Sequence, residues 1–157
     1  MESLLLWRAL RTLERWRAAC GLPAGDLAAK YRAVEAHVGR VFSHEESPML
    51  LAATADCRQI DVWGSCYAVS IGFPLSPQRR EGIARWLLDN ESGLVQAGQI
   101  RHTAPGEYWQ RLLTHVEPGE YQNGAYWATA SGWFMDAVRE VSATAARRIL
   151  EDAYRYF

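Results

Sequence analysis

Apolar residues at three- and four-residue steps open the chain. Leu6, Leu10, Leu13, Trp16 and Cys20 form one stripe and Arg8, Arg11 and Arg15 fall off it. The spacing predicts an amphipathic helix from about Ser3 to Cys20 with an Arg-rich outer face. Gly21-Leu22-Pro23 stops it. A second helix is expected from about Asp26 to Phe42, with Leu27, Tyr31, Val34, Val38 and Val41 inward and Asp26 suited to the helix dipole. From Ser43 to Ile60 the helical period is lost, which reads as a long loop with a short extended piece at Met49–Ala53. Asp61 to Gly72 carries one charge, at its first residue, and so reads as a helix buried on all sides. Ser76 then caps a fourth helix that has Pro77 at its first position and runs to about Asn90. Ser92 to Gln122 is again irregular, with a strand expected within Leu94–Thr103. A fifth helix, nearly uncharged until Asp136, is expected from Gly124 to Glu140, and an amphipathic sixth from Thr144 to Tyr156.

Short links join helices one to two, three to four and five to six, whereas long links join two to three and four to five. The expected fold is therefore all-α: a single helical domain, residues 1–157, of about three antiparallel helical hairpins. Both long loops and the starts of both buried helices then fall at one end, and loops carried on a rigid scaffold are where sites usually sit.

Composition changes this picture little. The chain has 157 residues, 49% hydrophobic and 22% charged, with a net charge of −1, so neither disorder nor an electrostatic grip on nucleic acid or a membrane surface is expected. Lys30 is the one lysine among 17 basic residues, which reads as codon usage. Three cysteines without C-x-x-C spacing read as free thiols of a cytoplasmic protein, and the four histidines lack metal-ligand spacing. Neither a signal peptide nor a spanning segment is expected, and no cofactor is implied.

The seven tryptophans and seven tyrosines matter more. The loop end collects His44, Glu45, Glu46, Asp56, Arg58, Gln59 and Asp61 from the first loop, and Arg101, His102, Glu107, Tyr108, Trp109, Glu117, Glu120, Tyr121, Gln122 and Asn123 from the second. Trp63, Tyr126 and Trp127 fall in the first turns of the buried helices. Amides, arginine and carboxylates bond hydroxyls, and a flat ring covers the apolar face of a pyranose. Pro105-Gly106-Glu107-Tyr108 and Pro118-Gly119-Glu120-Tyr121 are the same tetrapeptide, so two Pro-Gly turns each deliver a carboxylate beside aromatics. Glycoside hydrolysis needs such a pair, one acid and one base or nucleophile. Structural alternatives stand beside each assignment: solvated loop acids for Glu107 and Glu120, a helix-start charge for Asp61, an N-cap for Asn123, core rings for Trp63 and Trp127, and a satisfied loop histidine for His102.

The run Gln59-Ile60-Asp61-Val62-Trp63-Gly64-Ser65-Cys66-Tyr67-Ala68, and the run Gly119-Glu120-Tyr121-Gln122-Asn123-Gly124-Ala125-Tyr126-Trp127 leading to Gly132-Trp133, resemble the six-hairpin glycosidase superfamily. The resemblance is best from about Asp56 to Asp136, with Ala125 standing where a second glycine is expected. It implies part of an (α/α)6 toroid, the C-terminal half, and carbohydrate-active chemistry on the long-loop face. Glu120, Glu107 and Asp61 are the candidate catalytic acids, with Glu120 favoured because it adjoins Gln122 and Asn123. Trp63, Arg101, His102, Trp109, Tyr121, Gln122, Asn123, Tyr126 and Trp127 are the candidate sugar contacts. Expected partners are a carbohydrate and either a second copy or an upstream segment completing the toroid. The alternatives are a non-catalytic interaction or sugar-binding remnant, favoured by the open edges of half a toroid, and a sugar epimerase or isomerase, for which His102 alone offers acid/base chemistry.

Overall fold

The computed structural model describes residues 1–53 and 57–156. Asp56, one of the acids placed on the loop face, lies outside them. The protein is mainly helical but not all-α. Seven α-helices are present among the described residues: α1 (Glu2–Ala19), α2 (Leu27–Val41), α3 (Val62–Ser70), α4 (Pro77–Asp89), α5 (Glu91–Leu94), α6 (Ser131–Arg139) and α7 (Ala143–Tyr156). Three short strands, β1 (Val95–Gln96), β2 (Gln99–Arg101) and β3 (Tyr126–Trp127), form an antiparallel sheet in that order.

The start signals hold where a polar side chain supplies the cap. Asp61 accepts from the Gly64 N–H at 2.7 Å and Ser76 accepts from the Arg79 N–H, with Pro77 at the first position of α4. Each satisfies a backbone donor that the helix leaves unpaired. Met49, Leu50 and Leu51 are buried, and bridges from Ser43 to Leu50 and from Leu51 to Ile60 give the expected extended piece its partners.

The sheet replaces two expectations. The strand expected within Leu94–Thr103 is two strands joined at Ala97 and Gly98, both at positive φ, the backbone of a two-residue hairpin turn. The helix expected from Gly124 begins only at Ser131, after a 3-10 turn at Ala128–Ala130. Gly124 sits at φ 105, and Ile100 and Arg101 pair with Trp127 and Tyr126. An edge of β2 offered hydrogen bonds to this segment, and a local apolar run cannot show that. Nor is α6 buried all round: Gly132 and Arg139 are exposed, whereas Phe134, Ala137 and Val138 are inside.

Helix α3 does match its reading, with eight of its nine residues buried. It is shared by two apolar clusters. One joins Val62, Cys66 and Val69 to Ile83 and Leu87 of α4, Phe134 and Val138 of α6 and Ile149 of α7. The other joins Tyr67 and Ala68 to Leu4 and Trp7 of α1 and Val38 of α2. A helix covered from both sides has no polar face to offer, which is why its sequence is nearly uncharged.

Helix α1 departs from its expected orientation. The stripe read as inward is largely outward: Leu6, Leu13 and Trp16 are exposed, Trp16 to 68%, and the helix instead buries Leu4 and Trp7. Among the described residues, no helix is long and apolar enough to cross a membrane, and no cluster of potential metal ligands occurs.

Candidate functional site

The long segment 102–125 has little regular structure, and its own polar side chains organise it. Gln59, just before α3, reaches across to it. Its Nε2 donates to the Glu107 carboxylate at 3.1 Å and to the Tyr108 carbonyl at 2.9 Å, while its Oε1 accepts from the Gln110 N–H at 2.7 Å. Arg101 on β2 donates to the Thr103 hydroxyl and to the Glu107 carbonyl, and its guanidinium lies 5.1 Å from the centre of the Tyr108 ring. Asn123 is buried; its Oδ1 accepts from the Trp109 N–H at 2.7 Å and its Nδ2 donates to the Val116 carbonyl at 3.0 Å. It is therefore a brace for the loop, not a helix cap. Gly124 is needed beside it: a Cβ there would lie 2.9 Å from the Arg101 guanidinium and 2.9 Å from the Tyr108 ring. Compact loops whose ends are close and which pack on their own side chains are a recurrent functional element.

Asn123→Ala leaves the Trp109 N–H and the Val116 carbonyl without their partner. A loss of about 1–3 kcal/mol is expected, since buried polar groups left unpaired carry that penalty. Hydrogen exchange should show the Trp109 amide losing protection before the helices do; unchanged protection would mean the loop is held otherwise.

Asp61 lies under this loop and is buried. Besides capping α3, it meets His102 Nε2 at 3.2 Å and the Met1 amino nitrogen at 3.4 Å. Burial opposes its ionisation, but the hydrogen bond and charge of His102, the amino group and the Gly64 N–H outweigh burial and hold the carboxyl below its usual range. His102 stacks on Trp63 at 4.3 Å between centroids and meets Trp109 edge-on at 5.0 Å. With Nε2 turned to Asp61, its Nδ1 is buried with no hydrogen-bond partner among the described residues. Trp63 is buried too and donates to the Ile100 carbonyl.

The structure thus brings most candidate residues together in one continuous assembly. His102 joins buried Asp61 and Trp63 to half-buried Trp109. Arg101, Glu107 and Asn123 tie the loop down. Tyr121 and Trp127 meet edge-to-face at 5.2 Å, and the indole N–H groups of Trp109 and Trp127 are spent on the carbonyls of Gln122 and Tyr121. Tyr126 donates to the Gly93 carbonyl from β3. Of the three carboxylates, Asp61 and Glu107 are engaged. Glu120 is exposed, and its carboxylate has no hydrogen bond or ion pair among the described residues. It rides on a turn closed by the Gly119 N–H to the Asn123 carbonyl and the Asn123 N–H to the Glu120 carbonyl. Tyr121, next to it, holds a left-handed φ of 43, uncommon for a side chain of that bulk. His44, Glu45 and Glu46 belong to a different turn; among the described residues no hydrogen bond or ion pair joins them to the second loop, and His44 accepts from the Glu46 N–H.

Two residues escaped the sequence reading. Gln96 and Gln99, either side of the β1–β2 turn, line an open groove of about 480 Å³ with Tyr126 and Tyr156, and its far wall includes Gly119 and Gly124 of the Glu120 turn. Their one sequence signal is a pair of glutamines flanking Ala-Gly. That volume falls in the range of small-ligand sites, roughly 300–1,000 Å³. No model of a known protein family matches the chain, and no curated protein matches its sequence.

Proposed function

We propose that this chain is a cytoplasmic carbohydrate-active module of the glycoside-hydrolase type, an incomplete helical toroid whose sugar-facing surface is the second loop and the groove beneath it. The observation that carries this reading is the Gly119–Gly124 turn. It presents Glu120, whose carboxylate is unengaged among the described residues, beside exposed Tyr121 and Gln122 and half-buried Trp127, and its two ends, Gly119 and Gly124, line a groove with two glutamine amides and tyrosine. Amides bond sugar hydroxyls in a defined orientation and rings cover pyranose faces. A left-handed non-glycine residue at such a turn stores about 1–3 kcal/mol, and strain of that kind gathers at functional sites.

Glu120 is the acid assigned to the sugar, with Glu107 as second carboxylate once Gln59 releases it. Asp61 positions the loop through His102. Hydrolysis needs two acting carboxylates, and one stands ready here, so the chain alone binds sugar and turns it over slowly or not at all. Odd, unpaired cysteines support a reducing compartment. A carbohydrate is the ligand, and added helices, from a second copy or another segment, complete the array.

A panel of oligosaccharides and aryl glycosides tests this reading by calorimetry and turnover. Trp127→Ala is expected to weaken sugar binding about tenfold, the scale of one lost ring contact. Glu120→Gln should abolish whatever turnover the wild type shows and leave neutral-sugar binding nearly intact. Equal turnover by both proteins removes Glu120 from the chemistry, and failure of every sugar to bind at millimolar concentration ends the proposal.

A further inference from the structure

The outward face of α1 carries Leu5, Ala9, Leu13 and Trp16 at steps of four, four and three residues, with Leu6 alongside. Leu5 is 48% exposed, Leu6 52% and Leu13 43%. These steps are those of one face of a helix, and the 18 residues of α1 span about 27 Å. The face is not flat. With Arg8, Thr12 and the Tyr67 ring it encloses an open, mostly apolar groove of about 410 Å³. A continuous apolar stripe of this size on a surface marks an interaction site.

Charge says what covers it. Arg8 and Arg15, seven residues apart, run along one edge of the stripe. Arg8 donates to the Tyr67 hydroxyl and Arg15 to the Thr12 hydroxyl, so both heads are positioned, yet among the described residues neither has a carboxylate partner. Arg11, behind them, stacks over Trp7 and Tyr31 and meets Glu35 only at 3.9 Å. The edge therefore sets two guanidiniums, Arg8 and Arg15, beside the apolar seam with no carboxylate partner among the described residues. In helix pairs, residues flanking the seam set partner and orientation. A second copy packed antiparallel would bring Arg8 against Arg15, like against like, because the two-fold places the same flank of each helix together.

We propose that the α1 face docks an amphipathic helix of a different polypeptide, one with apolar anchors at matching helical spacing and a flank of glutamate or aspartate facing Arg8 and Arg15. The anchors fill the groove between Leu5, Leu13, Trp16 and Tyr67. The acidic flank supplies the carboxylates that the two guanidiniums lack and selects against basic helices. This inference stands apart from the sugar reading, since α1 contributes no residue to the loop or its groove.

Two labelled synthetic helical peptides of 18 residues test it, with leucines at identical spacing, one flanked by glutamate and one by lysine. Fluorescence anisotropy on the full chain should show the glutamate peptide binding at least about tenfold more tightly, the preference shrinking with added salt. The double variant Arg8→Glu, Arg15→Glu should reverse the order. Leu13→Ser with Trp16→Ser should weaken both peptides, circular dichroism confirming that these surface variants fold. Equal affinity for the two peptides, a preference unmoved by charge reversal, or no binding up to about 1 mM overturns the proposal. So does sedimentation showing a wild-type dimer that Trp16→Ser dissociates, which would assign the face to a second copy.

Discussion

Asp61→Ala is expected to destabilise the protein by about 2–4 kcal/mol, the loss of a helix cap together with buried polar groups left without their acceptor. Three losses coincide at this position. The α3 N-terminus loses the acceptor for the Gly64 N–H, His102 Nε2 loses its carboxylate 3.2 Å away, and a buried volume empties. A cap alone accounts for about 0.5–2 kcal/mol, so a larger loss reports the histidine contact and the emptied volume together. Asp61→Asn, which keeps an acceptor near Gly64 without the charge, should fall between. Glycine at position 64 belongs to the same device, since a Cβ there would sit 2.3 Å from an Asp61 carboxylate oxygen. The pH dependence has a definite sign. The folded carboxyl ionises below its ordinary range. Its contribution is therefore complete above the unfolded value of about 3.9 and is lost as pH falls through the lower folded value. Urea denaturation from pH 7 down to pH 3 should show wild-type stability dropping in the acid limb, with the Asp61→Asn protein flatter there. Parallel curves for the two would take Asp61 out of the acid response.

Gly98→Ala is expected to cost about 2–4 kcal/mol by two additive routes. Gly98 sits at φ 72, where a side chain is strained by roughly 1 kcal/mol. A Cβ there would also lie 2.3 Å from the Ala153 Cβ and 2.6 Å from the Ala153 Cα on α7. Backbone cannot yield as a flexible side-chain tip does, so α7 must move, and overpacking of this kind costs about 1–3 kcal/mol. The hairpin tip also accepts a hydrogen bond from the Ser131 hydroxyl at the start of α6. Thermal melting should drop, and exchange should quicken first in α7. A wild-type melting temperature would mean that α7 does not rest on the β1–β2 turn.

Much of the fold was legible locally, and the reason is visible in particular residues. The uncharged run from Val62 to Ser70 stated its burial directly. Asp61, Ser76 and Pro77 announced helix starts because a cap needs only neighbours three residues away. The helical spacing of α1 was legible as well, but not which of its apolar sides faces inward. Leu4 with Trp7 and Leu13 with Trp16 are equally good stripes, and only the positions of α2 and α3 select the first. Tyr126 and Trp127 read as helix because nothing local forbids it; the strand edge at Ile100 and Arg101 claimed them instead.

The candidate site divides in the same way. Which chemical groups are present, the repeated Pro-Gly-Glu-Tyr turns and the amide-rich run around Asn123 are properties of the sequence alone. Which of those groups face solvent is not, because each polar side chain has backbone partners and solvent competing for it. Asn123 and Arg101 were taken by the carbonyls and amides of their own loop, Asp61 by a helix end and a histidine, and Glu120 was left to the surface. Sequence settled the inventory and the local periods. Tertiary structure alone settled the allocation, since contacts between residues 40 to 60 positions apart, such as Gln59 with Tyr108 or Asp61 with His102, exist only after the chain has closed on itself.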